Sequence, residues 1–189
     1  VSCSSAYYYA LLQLTTAGYI TSVNTLIVKG SIASTVAPTV IYKGPADSTN
    51  HHGALGWVKA RLVAGLDRTL YELSPSPASP PVDWSTLDST SGLRYTHPSP
   101  AWKWSCFAEG PISVLGAGSI GRQSSILEFD LDTSGSVPVL AGGASAGVFP
   151  PSETIYSMGS LLGAFITIGT SAGLRIGSFD TYTGKLKLG

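Results

Sequence analysis

The sequence predicts an all-β fold, and three observations support this prediction. Helical periodicity is nearly absent, whereas short runs that alternate apolar and polar residues recur between clusters of Gly, Pro, Ser and Thr. A similar hairpin pattern also returns at nearly equal intervals along the chain. Of the 189 residues, 43% are hydrophobic, which is enough apolar surface to form a core and argues against disorder.

The strand candidates follow one another along the chain. Residues 6–12 include three successive tyrosines and favour a strand, although the run is also compatible with a helical turn. Residues 58–62 and 127–131 alternate strictly, so that their charged side chains share one face. Residues 102–106 place Trp102 and Trp104 on the same face, where we expect both to pack in the core.

The hairpins are marked by four turn residues, Gly18, Asp67, Gly121 and Gly173, which are separated by 49, 54 and 52 residues. This period suits the four-stranded blade of a β-propeller, which takes about 40 to 50 residues. The marker turns should therefore lie at equivalent positions in successive sheets. The expected strand pairs are 60–64 with 69–73, 112–117 with 125–130, and 164–168 with 174–178.

At this period the chain holds about three and a half blades, which we interpret as a single all-β domain over residues 1–189. Because stacked sheets must hide their last apolar face, we expect a partial ring, or a fragment of a longer chain that completes the ring. A complete four-bladed ring is one alternative. A β-sandwich with irregular hairpins is another.

Two segments interrupt the regular spacing of the predicted strands. Residues 74–100 contain six prolines among serines and cannot form a central strand, because proline supplies no donor to the ladder. We predict a long connection across the rim of the ring. Residues 44–56 are predicted to be a second exposed loop, which carries His51 and His52.

Charge and composition exclude several classes of partner. The 11 basic residues are balanced by 11 acidic ones, so a surplus of cations for nucleic acid is missing. No window approaches the ~18 consecutive apolar residues of a membrane span, so membrane insertion is not expected. Cys3 and Cys106 are interpreted as two free thiols, with a disulfide between them as the alternative.

The motifs that resemble sites are weak, and we predict no catalytic residue, cofactor or metal. His51 and His52 are adjacent and would point in opposite directions on a strand, which suits a polar loop better than a metal site. Residues 116–121 read GxGxxG but run into a strand rather than a helix, so no dinucleotide is expected. Trp84, beside a proline-rich loop, is a candidate contact residue for a sugar ring, together with His51 and His52.

Acidic residues offer one further interpretation. Asp130 and Asp132 alternate on one strand, and Asp180 and Glu153 lie elsewhere in the chain. Alternating acids on a strand more often form a solvated edge than a catalytic pair. If Asp130, Asp180 and Glu153 lie far apart, a glycosidase is excluded.

The run at residues 161–177, LLGAFITIGTSAGLRIG, resembles a blade that recurs in minor tail proteins of bacteriophages that infect actinobacteria. The similarity covers about thirty residues and continues into the strand 184–189. It implies a non-enzymatic structural protein of the virion tail, serving assembly or host-surface contact. Its implied partners are other tail subunits and a host cell-surface glycan.

Two other families share parts of the same region. The segment Ile168, Gly169 and Thr170 with Gly173 and Leu174 is similar to the blade core of propeller domains in two-component sensor receptors, but Thr167 stands where that core has Trp. The turn at residues 180–185 is similar to quinoprotein propellers but lacks the Trp that follows it there. A carbohydrate-binding or sensor-type propeller, and less so a propeller glycosidase, are therefore the alternative functions.

Overall fold

A computed structural model describes residues 1–15, 23–44 and 52–188 and confirms the all-β class. The described residues form strands and one short 3-10 helix, Trp84–Thr86, and the strands are arranged in four separate sheets. In this part of the chain, no helix has the length and apolar character needed to cross a membrane.

The four sheets follow one another along the chain. Three of them have four antiparallel strands, and the first has four antiparallel strands and a fifth, β8, which comes from the connection between the last two strands of the second sheet. The first sheet consists of β1 (Ser2–Cys3), β2 (Tyr7–Thr15), β3 (Val23–Ser31), β4 (Thr39–Lys43) and, parallel to β4, β8 (Val82–Asp83). The second consists of β5 (Gly53–Val58), β6 (Arg61–Leu66), β7 (Thr69–Leu73) and β9 (Leu93–Thr96). The third consists of β10 (Trp102–Glu109), β11 (Val114–Ile120), β12 (Gln123–Asp132) and β13 (Val139–Val148). The fourth consists of β14 (Ile155–Leu161), β15 (Phe165–Thr170), β16 (Gly173–Phe179) and β17 (Leu186–Leu188).

Residues 58–62 are not one strand, as their alternation predicted, because Lys59 and Ala60 form the turn between β5 and β6; residues 112–113 likewise lie before β11. The predicted hairpins themselves are confirmed in the second, third and fourth sheets. In each, the second and third strands are joined by a two-residue turn, flanked by the pairs Leu66 with Thr69, Ile120 with Gln123, and Thr170 with Gly173. Asp67 and Gly121 begin their turns with positive φ values of 50° and 61°, which the short side chain of Asp tolerates and glycine adopts without strain. The turn expected at Gly18 lies outside the described residues, although β2 and β3 pair on either side of it.

Three apolar cores lie between successive sheets, and the first strands of neighbouring sheets lie close together. β5 contacts β1 and β2, β10 contacts β5, and β14 contacts β10. The core between the first and second sheets includes Tyr9, whose ring stacks on Trp57 with centroids 5.5 Å apart. The core between the second and third sheets contains Trp102 and Trp104, as predicted.

Two expectations about loops are wrong. Residues 74–100 do not merely cross a rim, because they contribute β8 to the first sheet and β9 to the second. β9 is the outermost strand of its sheet, so the prolines stay out of any central ladder. Residues 53–56, placed in an exposed loop, belong to β5, and Gly56 is buried against Phe107. The described residues thus form four sheets, where about three and a half blades were expected.

Candidate interaction surface

The fourth sheet presents an apolar face to solvent, and the register of its strands shows why this face is unusual. Counted from the pairs that flank the two-residue turns, Ile126 of the third sheet and Ile176 of the fourth occupy the same position. Ile126 has no exposed surface, because the fourth sheet covers it, whereas Ile176 is 59% exposed. The same register position is thus covered in the third sheet and open in the fourth.

Neighbouring positions repeat this relationship. Leu115 of the third sheet is fully buried, whereas Phe165, its equivalent in the fourth sheet, is 48% exposed. Ser124 is fully buried and its equivalent, Leu174, is 70% exposed. We call the set that shares this side of the fourth sheet the fourth-sheet free face. It comprises Leu161, Phe165, Thr167, Leu174 and Ile176.

The opposite side of the same sheet packs on the third sheet. Ile166 and Ile168 alternate with the free-face residues along β15 and are fully buried. Arg175, between Leu174 and Ile176, also points to that side and donates two hydrogen bonds of 2.6 Å to Glu153. The five residues of the fourth-sheet free face are therefore uncharged, with Lys187 at its edge opposite Ser178. Burial of its apolar side chains would be favourable.

The first sheet has a corresponding free side, turned away from the second sheet. Tyr9, Ile27 and Tyr42 pack toward the second sheet. The residues that alternate with them form the first-sheet free face, which comprises Ala10, Leu12, Leu26, Val28 and Val40. Ala10 and Val28 are buried, whereas Leu12 is 38% exposed and Leu26 and Val40 are half-buried.

The candidate contact residue Trp84 is not available for a ligand. Its side chain is only 5% exposed and lies in the core between the first and second sheets, over Gly44. A Cβ on Gly44 would approach the indole ring to 2.4 Å, so this glycine makes room for the tryptophan. Trp84 was expected in a loop, but β8 pairs with β4 immediately before it and directs it inward.

Of the two candidate histidines, one lies among the residues that the structure describes. His51 lies outside the described residues. His52 is exposed, and its backbone exchanges hydrogen bonds with Asp67, which binds the His52 N–H at 3.2 Å through Oδ1. Within residues 1–15, 23–44 and 52–188, no group of three or more His, Cys, Asp or Glu residues could hold a metal ion.

Each of the three acids considered for catalysis is bound by a cation. Asp130 accepts a hydrogen bond of 2.9 Å from Lys185, and Asp180 accepts one of 2.5 Å from Lys187. Hydrogen bonds from Arg175 and Thr170 lower the pKa of Glu153 to about 2. A general acid near neutral pH needs a raised pKa, so Glu153 is unsuited to that role.

Glu72 organises an ionic cluster at the border between the second and third sheets. Its carboxylate binds Arg61 and Arg94, and it also accepts a hydrogen bond of 3.0 Å from the backbone N–H of Leu140. The Glu72 side chain is 11% exposed. Three strands of the second sheet and one of the third are thereby joined, which is a structural role.

A cavity of about 350 Å³ lies beside the fourth sheet, where Ile112 meets the turn at residues 180–184. Tyr182 projects at its rim with 97% of its surface exposed. The Asp180 carboxylate does not offer a free acid there, because it also accepts hydrogen bonds from the backbone N–H groups of Tyr182 and Thr183.

The cysteines are both free, so the disulfide alternative does not apply in this structure. Cys3 is exposed and Cys106 is half-buried. Burial raises the pKa of the Cys106 thiol to about 11, which leaves it protonated and unreactive at neutral pH. Residues 116–121 form the end of β11 and its turn, and the strand β12 follows, as expected.

The sequence reasoning missed the free-face residues, although a signal was present. In β15 the adjacent residues Phe165 and Ile166 are both apolar, so the two faces of this strand each carry an apolar side chain. In β16, Leu174 and Ile176 alternate with Arg175 and add two apolar side chains to the face of Phe165. A strand that is apolar on both faces is typical of a sheet covered on both sides. Comparison of the chain with models of known protein families gave no match, and comparison with curated proteins gave none either.

Proposed function

We propose that this chain is a non-enzymatic structural component of a multi-subunit assembly. The observation that carries the proposal is the fourth-sheet free face, where Phe165, Leu174 and Ile176 are exposed at positions that the preceding sheet buries. Large exposed apolar patches are typical of interaction sites, because leaving them in water is unfavourable. We infer that another protein surface covers this face when the chain performs its function.

The assembly that we propose is the tail of a bacteriophage, in which this chain acts as a minor tail protein in assembly or host-surface contact. The residues that resemble such proteins, 161–177, include Phe165, Leu174 and Ile176 of the exposed face. The low charge of the chain, with 22 charged side chains and a formal net charge of zero, favours close packing among other tail subunits.

We further propose that the four sheets are consecutive blades of a β-propeller. Support comes from their order along the chain, from the equivalent second-to-third strand hairpins, and from the adjacency of the first strands β5, β10 and β14. In a propeller the first strands of the blades surround the axis. Each sheet here covers one face of its neighbour, which is the contact that a propeller repeats.

A sugar-binding role is the second candidate, and the cavity beside Ile112 supports it. An exposed tyrosine at the rim of a cavity, such as Tyr182, offers a flat face on which a sugar ring can pack. A host cell-surface glycan is the corresponding ligand. Binding measured by NMR titration with oligosaccharides, and lost in Tyr182→Ala but kept in Tyr156→Ala, an equivalent change at another exposed tyrosine of the fourth sheet, would favour this role.

The experiment that tests the tail proposal is mass spectrometry of extracellular particles, purified on a density gradient from the source that encodes the chain. We expect peptides of this chain to co-purify with tail proteins at a constant ratio through the gradient. Recovery of the chain only in the soluble cell fraction, with none in the particles, would contradict the proposal.

A further inference from the structure

We infer that the fourth-sheet free face binds the first-sheet free face of a second copy of this chain, in a head-to-tail contact. This inference rests on the proposed assembly function and names the partner at the same surface. It extends a contact that the molecule already makes three times, between its first and second, second and third, and third and fourth sheets.

The internal contacts define which two faces meet. The side of the third sheet that carries Leu115, Ala117 and Ile126 packs on the side of the fourth sheet that carries Ile166 and Ile168. The fourth-sheet free face is the equivalent of the former side, by register from the hairpin turns. The surface that binds it should therefore be the side of a sheet that would pack on a preceding sheet, as the Ile166 and Ile168 side of the fourth sheet packs on the third.

Among the described residues, the first-sheet free face is such a side, and no described sheet packs against it. In the second sheet the corresponding side carries Leu62, Ala64 and Leu66, which are buried against the first sheet. In the first sheet the side that faces away carries Leu12 at 38% exposure and the half-buried Leu26 and Val40, while Ala10 and Val28 are already buried and the exposed Lys43 lies at its edge. Every copy thus supplies one face of each kind.

Charge at the margins is compatible with this contact. Lys43 pairs with Leu26 at one edge of the first-sheet free face, and Lys187 pairs with Ser178 at one edge of the fourth-sheet free face. Asp180 binds Lys187 at 2.5 Å, which neutralises that lysine. Lys43 likewise lies beside an acid, because it pairs with Asp83 where β4 meets β8. Each lysine thus has a carboxylate next to it, so the two edges bring together little net charge and like-charge repulsion is small.

Two copies joined at both ends would form a ring of eight sheets. A head-to-tail contact closes into a ring when its rotation permits and otherwise continues as a filament. Eight blades lie at the upper end of the usual range of four to eight for propellers. We therefore infer a closed dimer in which both free faces of both copies are buried.

The test measures the mass of the purified chain by light scattering, coupled to size exclusion, with four variants. We expect the unmodified chain to have twice the 19.5 kDa of one copy. Ile176→Glu and Leu12→Glu should each have the mass of a single copy, because either change places a carboxylate in both contacts of the dimer. Val137→Glu, the same type of change at a 66% exposed position in a turn outside both faces, should stay dimeric.

A mixture of the two disrupted variants provides the sharpest discrimination. When Ile176→Glu and Leu12→Glu are combined in equal amounts, one unaltered fourth-sheet face meets one unaltered first-sheet face, and the dimer mass should return in part. Far-UV circular dichroism checks that each variant is folded, and Phe165→Ser repeats the test with a change that introduces no charge.

Three results would overturn the inference. The first is an unmodified chain with the mass of one copy. The second is a Leu12→Glu variant that remains dimeric, which would indicate a symmetric contact between two fourth sheets. The third is a mixture of the two disrupted variants that shows no association. If the chain is a single copy in solution but is recovered from purified particles, the dimer inference fails and the proposed function stands. If the chain is a dimer in solution but is absent from the particles, the dimer inference stands and the proposed function fails.

Discussion

Ile126 and Ile176 occupy equivalent positions in successive sheets, four residues after the hairpin turn, yet Ile126 is fully buried and Ile176 is 59% exposed. The difference arises because a fourth sheet covers the third, whereas the described chain places no further sheet on the fourth. The same residue type at the same register position therefore contributes differently to stability in the two sheets. Substitution of each isoleucine tests whether the sheets are stacked as described.

The first prediction concerns this pair. Ile126→Ala should lower the free energy of unfolding by about 2 to 5 kcal/mol, because it removes buried methyl groups and leaves a cavity. Ile176→Ala should change it by less than about 0.5 kcal/mol in the single copy, because its side chain is already hydrated. Urea unfolding at dilutions where the chain has the mass of one copy measures both. Equal losses in the two variants would show that the register is misassigned.

The second prediction concerns the cluster around Glu72. Glu72→Gln should lower the free energy of unfolding by about 3 to 5 kcal/mol, because it leaves Arg61 and Arg94 without their anion in a largely buried place. Lys103→Ala is the control, because its ion pair with Asp67 is exposed and is expected to contribute at most about 1 kcal/mol. A loss in Glu72→Gln no larger than in Lys103→Ala would refute the structural role.

The third prediction concerns acid. Arg175 and Thr170 lower the pKa of Glu153 from its ordinary 4.5 to about 2, so the folded state binds its proton less readily than the unfolded chain. The stability that this provides is complete above about pH 4.5 and is lost as the pH falls toward 2. The melting temperature should therefore fall through this range.

Glu153→Gln isolates that contribution. We expect the variant to be less stable than the unmodified chain at pH 7, and the difference between their melting temperatures to shrink as the pH falls from 4.5 to 2. Asp132→Asn is a useful comparison, because the pKa of Asp132 is lowered only by hydrogen bonds within its own exposed turn. A difference for Glu153→Gln that is constant with pH would contradict the assignment.

The fourth prediction concerns the two thiols. At pH 8 a disulfide-exchange reagent should label Cys3 rapidly and leave Cys106 unmodified, because Cys3 is exposed and burial raises the pKa of Cys106 to about 11. The intact mass should show one label on the folded chain and two after denaturation. No label on the folded or the denatured chain before reduction would instead indicate a disulfide.

The sequence could predict the hairpins because their determinants are local. A two-residue turn with Asp67 or Gly121 at positive φ, between alternating strands, largely fixes which residues pair. Trp102 and Trp104 could be assigned to the core for the same reason, since alternation places them on one face. The near-equal spacing of the turns then extends the pairing to equivalent positions in successive sheets.

The contacts between distant segments could not be read in this way. Trp84 is buried because β8 returns from the second sheet to pair with β4, and no local pattern encodes that pairing. The Glu72 cluster likewise depends on Leu140 of another sheet. The exposure of Ile176 depends on whether another sheet packs on the fourth sheet, and the sequence of β16 alone does not determine this.

The measurement that tests the central claim most directly is hydroxyl-radical footprinting of the chain within purified particles. It compares the oxidation of Ile176 with that of Ile126, which is buried in the fold, and of Val137, which is exposed in a turn. If the fourth-sheet free face is an assembly surface, Ile176 should be protected to the same degree as Ile126 while Val137 is oxidised. Oxidation of Ile176 at the level of Val137 would show that the face stays in water, and would contradict the account.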